Sequence, residues 1–390
     1  MDIARKLHLP DHPWLSAPPL TRLLSMLNED ELTARLVGGC VRDCLLGREI
    51  TDIDIACSLL PQEAMLRLQK AGIKVIPTGI KHGTITAVID KNNFEITTLR
   101  RDEENYGRHA RVAFTDDWLE DARRRDFTIN ALYLDGNGSL YDPCNGLTDI
   151  SARRIRFIGD ANDRIREDAL RILRFFRFSA RIGDGELEPE GLAACIKNKK
   201  LIDNLSGERL AQEIFKILKA EQLLSVIRVM DRSDILAHIL PGHGDLVKFN
   251  DYVRLENALG RSEPLARLSC LVGPAVDKIS RHLRLSNHQA KILSGYATHD
   301  IPIDPEMTEK SIGKAIYQNG REKFIFALLQ NWAEQGAEAG DVNYGHILAY
   351  AEGWQIPDFP VKGRDLMARG IKGGPEMGRI LHRLEREWLA

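Results

Sequence analysis

The spacing of apolar and polar positions changes character about 160 residues into the chain. Before that point short, alternating, β-branched runs crowd together. "ARLVGG" leads into a short helical stretch, "VRDCLLG", and then into "TDIDIAC". "PQEAMLRLQKAG" opens on proline and closes on glycine, as helices do. "IKVIP", "GTITAVID" and "FEITTLR" alternate like half-buried strands, the last two joined at "KNN". "ALYLDGNGSLYDP" predicts a hairpin turning at Asn137-Gly138. This part reads as a mostly antiparallel or mixed sheet backed by helices.

Beyond it the helical period takes over, as in "NDRIREDALRILRFFRFSARIG", "SGERLAQEIFKILKAEQLLSVIRVM" and "GPEMGRILHRLEREWLA". No solenoid period and no low-complexity segment interrupts it. The expected class is α+β, a sheet domain followed by an all-α remainder, divided at 1–156, 157–235 and 236–390.

Composition narrows the function. Of 390 residues, 43% are hydrophobic and 28% charged, the balance of a soluble globular protein. The opening "MDIARKLHLPDHPW" has no apolar core, and no run of about 18 apolar residues exists, so a cytoplasmic location without a membrane span is expected. Six scattered cysteines without a C-x-x-C pair suggest neither a zinc site nor disulfides. The net charge of −2 hides an uneven distribution: sixteen arginines and no lysine lie between Asn92 and Ile196. Arginine's planar fork suits phosphates and base edges.

In "TDIDIAC" the two-residue period puts Asp52 and Asp54 on one strand face and Ile53 and Ile55 on the other. Such a pair is either a solvated strand face or a seat for a hard divalent cation such as Mg²⁺. Gly38-Gly39 ends one strand and opens a helix, where bare N–H groups can approach an anion, and Arg42 follows in the first turn. No Walker-type P-loop accompanies them.

Taken whole, "LVGGCVRDCLLGREITDIDIA" resembles the signature of the nucleotidyltransferase superfamily, specifically class II tRNA nucleotidyltransferases and bacterial poly(A) polymerases. The resemblance implies a polymerase-β-like catalytic head, then a helical neck, body and tail. It also implies two-metal nucleotidyl transfer, with Mg²⁺ held by Asp52 and Asp54 and the incoming triphosphate contacted by Gly38, Gly39 and Arg42. Asp43 would orient Arg42 or cap the turn. Glu95 in "FEITTLR" is either a third catalytic carboxylate or an exposed strand glutamate.

"RRDFTINALY" is similar to the family's ribose-binding motif, implicating Arg124, Arg125, Asp126 and Asn130. "REDALRILRFFRF" is similar to its nucleotide-selecting motif, implicating Glu167, Asp168 and Arg171, with Arg174 one turn on. A single helix through this stretch would set Asp168 and Arg171 three apart as surface neighbours, Ile165, Ala169, Ile172, Leu173 and Phe176 forming its apolar arc. A carboxylate only accepts hydrogen bonds and a guanidinium only donates them. Side by side they would match cytosine and adenine, which present an amine beside a ring acceptor, and refuse uracil and guanine. The bland alternative is an i,i+3 surface ion pair.

"PTGIKHGTITAV" resembles the CCA-adding version more than the G-[RK]-[RK]-F signature of poly(A) polymerases. The implied partners are tRNA, CTP and ATP, with no membrane; monomer and homodimer both stay open. One departure stands out. The segment 100–114 lies where the family keeps a loop needed to switch from C to A addition, often with an acidic residue and an arginine before a proline; "GRHARV" lacks that proline and the usual acidic neighbour, which leaves a CC-adding enzyme as an alternative. A poly(A) polymerase and a non-catalytic RNA-binding relative are the other readings.

Overall fold

The computed structural model describes every residue except 30, 103–111, 245, 299 and 390. Contacts group the chain into two units, Met1–Leu205 with Ala220–Ile239, and Ser206–Lys219 with Leu240–Ala390. The segment 157–235 is therefore shared between them, its helix Gly207–Leu218 belonging to the second.

The first unit is built on a mixed sheet, as the alternating runs predict. Its strands are β1 (Ile3–Lys6), β2 (Ala34–Val37), β3 (Asp54–Cys57), β4 (Lys74–Gly79), β5 (Thr84–Ile89) and β6 (Asn92–Thr98), with the small pair β7 (Arg100–Asp102) and β8 (Val112–Phe114) set apart, then β9 (Tyr133–Leu134) and β10 (Ser139–Tyr141). The order across the eight-stranded sheet is β1-β10-β9-β2-β3-β6-β5-β4. β3 and β6 run parallel; the other neighbours run antiparallel. The altered loop falls mostly at 103–111, outside the described residues.

Three local expectations need correction. Pairing in "TDIDIAC" starts only at Asp54, so Asp52 lies in the stretch before β3, although the alternation persists: Asp52 and Asp54 are exposed while Ile55 is buried. The turn between β5 and β6 is not "KNN" but Asp90-Lys91, with φ of 49° and 66° at the two residues, as a twisted two-residue hairpin requires. The single helix through 164–176 is broken. Helices Ala161–Glu167 and Leu170–Ile182 flank Asp168, whose backbone is extended at φ −150°, ψ 106°. The physical reason is local capping: Asp168 Oδ1 accepts from Leu170 N at 3.1 Å and starts the second helix.

The helix Leu170–Ile182 buries Ile172, Leu173, Phe175, Phe176 and Phe178. Phe127 is wholly buried and packs on Phe157, Phe175 and Phe178 with centroids 4.8, 6.4 and 5.6 Å away. This aromatic cluster ties the "RRDFTINA" segment to the helix that carries Arg171 and Arg174.

The second unit is helical and has its own core, in which buried Trp332 stacks on Tyr344 at 5.1 Å. Its most buried charges are Arg267 and Glu256, each 1% exposed and paired at 2.5 Å. Arg267 also donates to the Leu218 carbonyl at 2.7 Å and to Asn257 Oδ1 at 2.6 Å, which satisfies most of its fork.

Candidate active site

The site is framed by the end of β2 and the start of β3. β2 runs into Gly38, whose φ of 72° lies in the left-handed region that glycine adopts without Cβ strain, and the helix Gly39–Leu45 begins at once. Two guanidiniums approach this turn. A Cβ on Gly38 would lie 3.7 Å from Arg125 Nη1, and one on Gly39 would lie 3.9 Å from Arg42 Nη2. The paired glycines thus leave a notch beside two cations.

On the neighbouring strands the acids gather. The parallel register sets Asp54 opposite Glu95, and both are exposed while Ile55 and Ile96 beside them are buried. Partial desolvation of the Asp54 carboxyl, and then the adjacent Glu95, raise its pKa; Arg125 pulls it down and Asp52 adds to the rise. Asp54 is therefore an electrostatic neighbour of Glu95, of Arg125 and of Asp52. Among the described residues no group of three or more His, Cys, Asp or Glu side chains is placed to hold a metal ion.

Behind the glycine turn runs a chain of buried polar contacts. Arg42, 4% exposed, donates from Nε to Asp43 Oδ1 at 2.9 Å and from Nη1 to Asn130 Oδ1 at 2.7 Å. Asn130 Nδ2 donates to Asp126 Oδ1 at 3.0 Å, and Asp126 Oδ2 accepts from Arg174 Nε at 2.6 Å. Arg181 closes the other end on Asp43 Oδ2 at 2.9 Å. Burial would raise the Asp126 pKa, but Arg174 and Asn130 more than reverse this and hold it low. Asp126 and Asn130 are thus structural links between the glycine turn and the helix Leu170–Ile182, their polar atoms already engaged.

Arg171 is held in three directions. Its Nη1 pairs with Glu167 Oε2 and donates to the Arg164 carbonyl at 2.9 Å, while Nη2 reaches the Arg124 carbonyl at 3.4 Å. Asp168, three residues before this arginine, lies at the break between the two helices rather than on a continuous helix face, and its Oδ1 accepts from Leu170 N.

Asp121 and Tyr133 escape the motif reading. Asp121 is 1% exposed, and its Oδ1 takes Arg124 while its Oδ2 takes Arg125 and the Tyr133 hydroxyl. Burial raises its pKa, but Arg125 and then Arg124 outweigh this and bring it down to about 2. The only sequence signal was an acid placed three and four residues before two arginines.

Residues 34–156 match the family model described as Poly A polymerase head domain, and residues 186–246 match that of the Probable RNA and SrmB- binding site of polymerase A. The chain is 36% identical over 394 residues to CCA tRNA nucleotidyltransferase 1, mitochondrial, of Mus musculus, an alignment covering 98% of this chain and 89% of that protein. It is 31% identical over 393 residues to the CCA-adding enzyme of Leuconostoc citreum, covering 95% of this chain and 91% of that one. Among solved structures, the Bacillus stearothermophilus CCA-adding enzyme in complex with CTP matches with a TM-score of 0.77 at 28% identity, over 95% of this chain and 92% of that chain.

Proposed function

The chain belongs to the family of CCA-adding tRNA nucleotidyltransferases, and on that premise we propose that it adds C, C and A to tRNA 3′ ends from CTP and ATP without a nucleic-acid template. The observation that carries the proposal is the juxtaposition of the Asp54–Glu95 pair with a glycine turn flanked by Arg42 and Arg125. Acids that repel one another beside a notch lined with cations suit a substrate that brings both phosphates and a divalent ion.

Asp52 and Asp54 supply the hard oxygen donors that Mg²⁺ takes, Glu95 standing beside Asp54 as a further acid. Mg²⁺ sites are commonly one or two carboxylates completed by substrate phosphates, so a closed protein cage is not needed. Bound there, Mg²⁺ would acidify the primer 3′-hydroxyl and offset the triphosphate charge. The backbone of the Gly38-Gly39 turn lets the triphosphate approach closely, and Arg42 and Arg125 offer it fixed donors. Held in line, the primer 3′-oxygen bonds to the α-phosphorus, its proton is released, and pyrophosphate leaves.

Base choice falls to Asp168 and Arg171. The carboxylate accepts from the exocyclic amine of cytosine or adenine, and the guanidinium donates to the adjacent ring nitrogen; uracil and guanine would leave both groups facing their own kind. Glu167 and the carbonyls of Arg164 and Arg124 fix the guanidinium before the nucleotide arrives. Arg124, Asp126, Asn130 and Arg174 serve by holding that wall against the glycine turn, the ribose lying between. The helical second unit, with the matched segment 186–246, would grip tRNA by shape and phosphate contacts.

The test incubates purified protein and Mg²⁺ with tRNAs ending before C, CC and CCA, offering CTP and ATP separately and together. Stepwise completion to CCA and no further supports the proposal; a long ATP-only tail on generic RNA would overturn it in favour of a poly(A) polymerase. Addition that stops at CC points to the altered 100–114 loop. No helix among the described residues is long and apolar enough to cross a membrane. A cytoplasmic site of action is part of the proposal, and cell fractionation checks it against the mitochondrial location in the mouse relative's name.

A further inference from the structure

We infer that Asp121 is a positioning residue of this site: its buried carboxylate takes one edge of the Arg125 guanidinium, so that the opposite edge is held at the Gly38 turn to meet the triphosphate. The inference rests on the reading of the glycine turn as the triphosphate end.

The carboxylate is divided between two jobs. Oδ1 accepts from Arg124 Nη2 at 2.5 Å, from Arg124 Nε at 2.9 Å and from the Arg100 backbone N–H at 3.3 Å. Oδ2 accepts from Arg125 Nη2 at 2.9 Å, from Arg125 Nε at 3.2 Å and from the Tyr133 hydroxyl at 2.8 Å. A guanidinium gripped through Nε and Nη2 has its plane and rotation fixed, which commits Nη1 to the far edge. That edge is the one facing Gly38, 3.7 Å from where a Cβ would stand. The Tyr133 ring supports the same cation, its centroid 5.4 Å from the Arg125 guanidinium carbon.

The arrangement is not the one an isolated buried ion pair would need. Stability alone would be served by one arginine on one carboxylate; here the carboxylate sorts two consecutive arginines to two places. The Arg124 side chain is held on Oδ1 while its backbone carbonyl meets Arg171, and Arg125 is turned toward the glycines.

The test measures binding of CTP and CMP, without primer, by titration calorimetry in Mg²⁺ buffer. The variants are Asp121→Asn and Tyr133→Phe, each also made with Arg125→Ala. Wild type is expected to prefer CTP over CMP. In Asp121→Asn that preference falls by about 10-fold, the size typical of lost supporting contacts, while CMP binding changes less than about twofold. With Arg125→Ala already present, Asp121→Asn has no further effect on the ratio, because the two act as one unit. Tyr133→Phe keeps the fold and loses a smaller share, so it decides the matter if Asp121→Asn does not fold. A ratio unchanged in the folded single variants, or a further equal loss beside Arg125→Ala, overturns the inference alone. A wild type with no CTP preference overturns the assignment of the triphosphate to the glycine turn, and the inference with it.

Discussion

Asp54 and Glu95 are register partners across the parallel β3–β6 pair, so two exposed carboxylates stand on one face of the sheet. Asp54→Asn or Asp52→Asn is expected to lower nucleotidyl transfer by more than about 100-fold, since even supporting contacts around a metal cost 10- to 100-fold. Glu95→Gln should lose less than either. Single-turnover incorporation of CMP over a range of Mg²⁺ concentrations checks this; equal activity in Asp54→Asn would dislocate the whole site.

Gly38 and Gly207 make a contrasting pair. At Gly38 a Cβ has only ordinary contacts, but φ is 72°, so Gly38→Ala should cost about 1–2 kcal/mol of backbone strain and raise the KM for CTP. At Gly207 φ is unexceptional, but a Cβ would collide with the His282 carbonyl oxygen. Gly207→Ala should therefore destabilise by about 1–3 kcal/mol or more while leaving CTP binding intact. Chemical denaturation together with CTP titration separates the two.

Arg171→Ala removes the donor from the proposed base-selecting pair, while Glu167 keeps its other partner, Arg164. Discrimination of CTP against UTP should shrink by about 10²-fold or more, because a lost hydrogen bond costs both a contact and an unpaired group. The ratio of kcat/KM values for the two nucleotides is the readout, and an unaltered ratio would remove base selection from this residue.

In the second unit, Glu256→Ala would strand the wholly buried Arg267 guanidinium. The expected cost is about 3–5 kcal/mol. Replacing both residues together, as Glu256→Leu with Arg267→Met, should cost much less. Urea midpoints of the single and double variants decide it.

Asp121 also predicts an acid dependence. Its folded pKa of about 2 lies below the ordinary value of about 3.9, so its stabilisation is complete above pH 4 and is lost as pH falls toward 2. The stability gap between wild type and Asp121→Asn, roughly 2–3 kcal/mol from this shift, should close over that window in pH-dependent denaturation.

The sheet and its order of chemistry were legible because β-branched alternation and glycine turns leave marks within a few residues. What escaped depended on distant partners. β1 shows no alternation because all four residues are exposed; backbone pairing to β10, more than 130 residues on, makes it a strand. β3 starts at Asp54 rather than Asp52 because ladder pairing, not polarity, sets a strand's end. The helix break at Asp168 comes from one side chain capping its own neighbour, which a period analysis averages away. Asp121 carried no mark of its burial, which becomes visible only when Tyr133 and the two arginines are placed around it.

The buried run from Arg174 through Asp126 and Asn130 to Arg42 sets a limit on how the enzyme's alphabet can be rewritten. On the proposed reading, a change at Arg174 would be felt along these shared partners as far as the glycine turn. Asp168 stands instead at a joint between two helices, where its carboxylate also starts the second, so a change there would alter base choice and helix start together on the proposed reading.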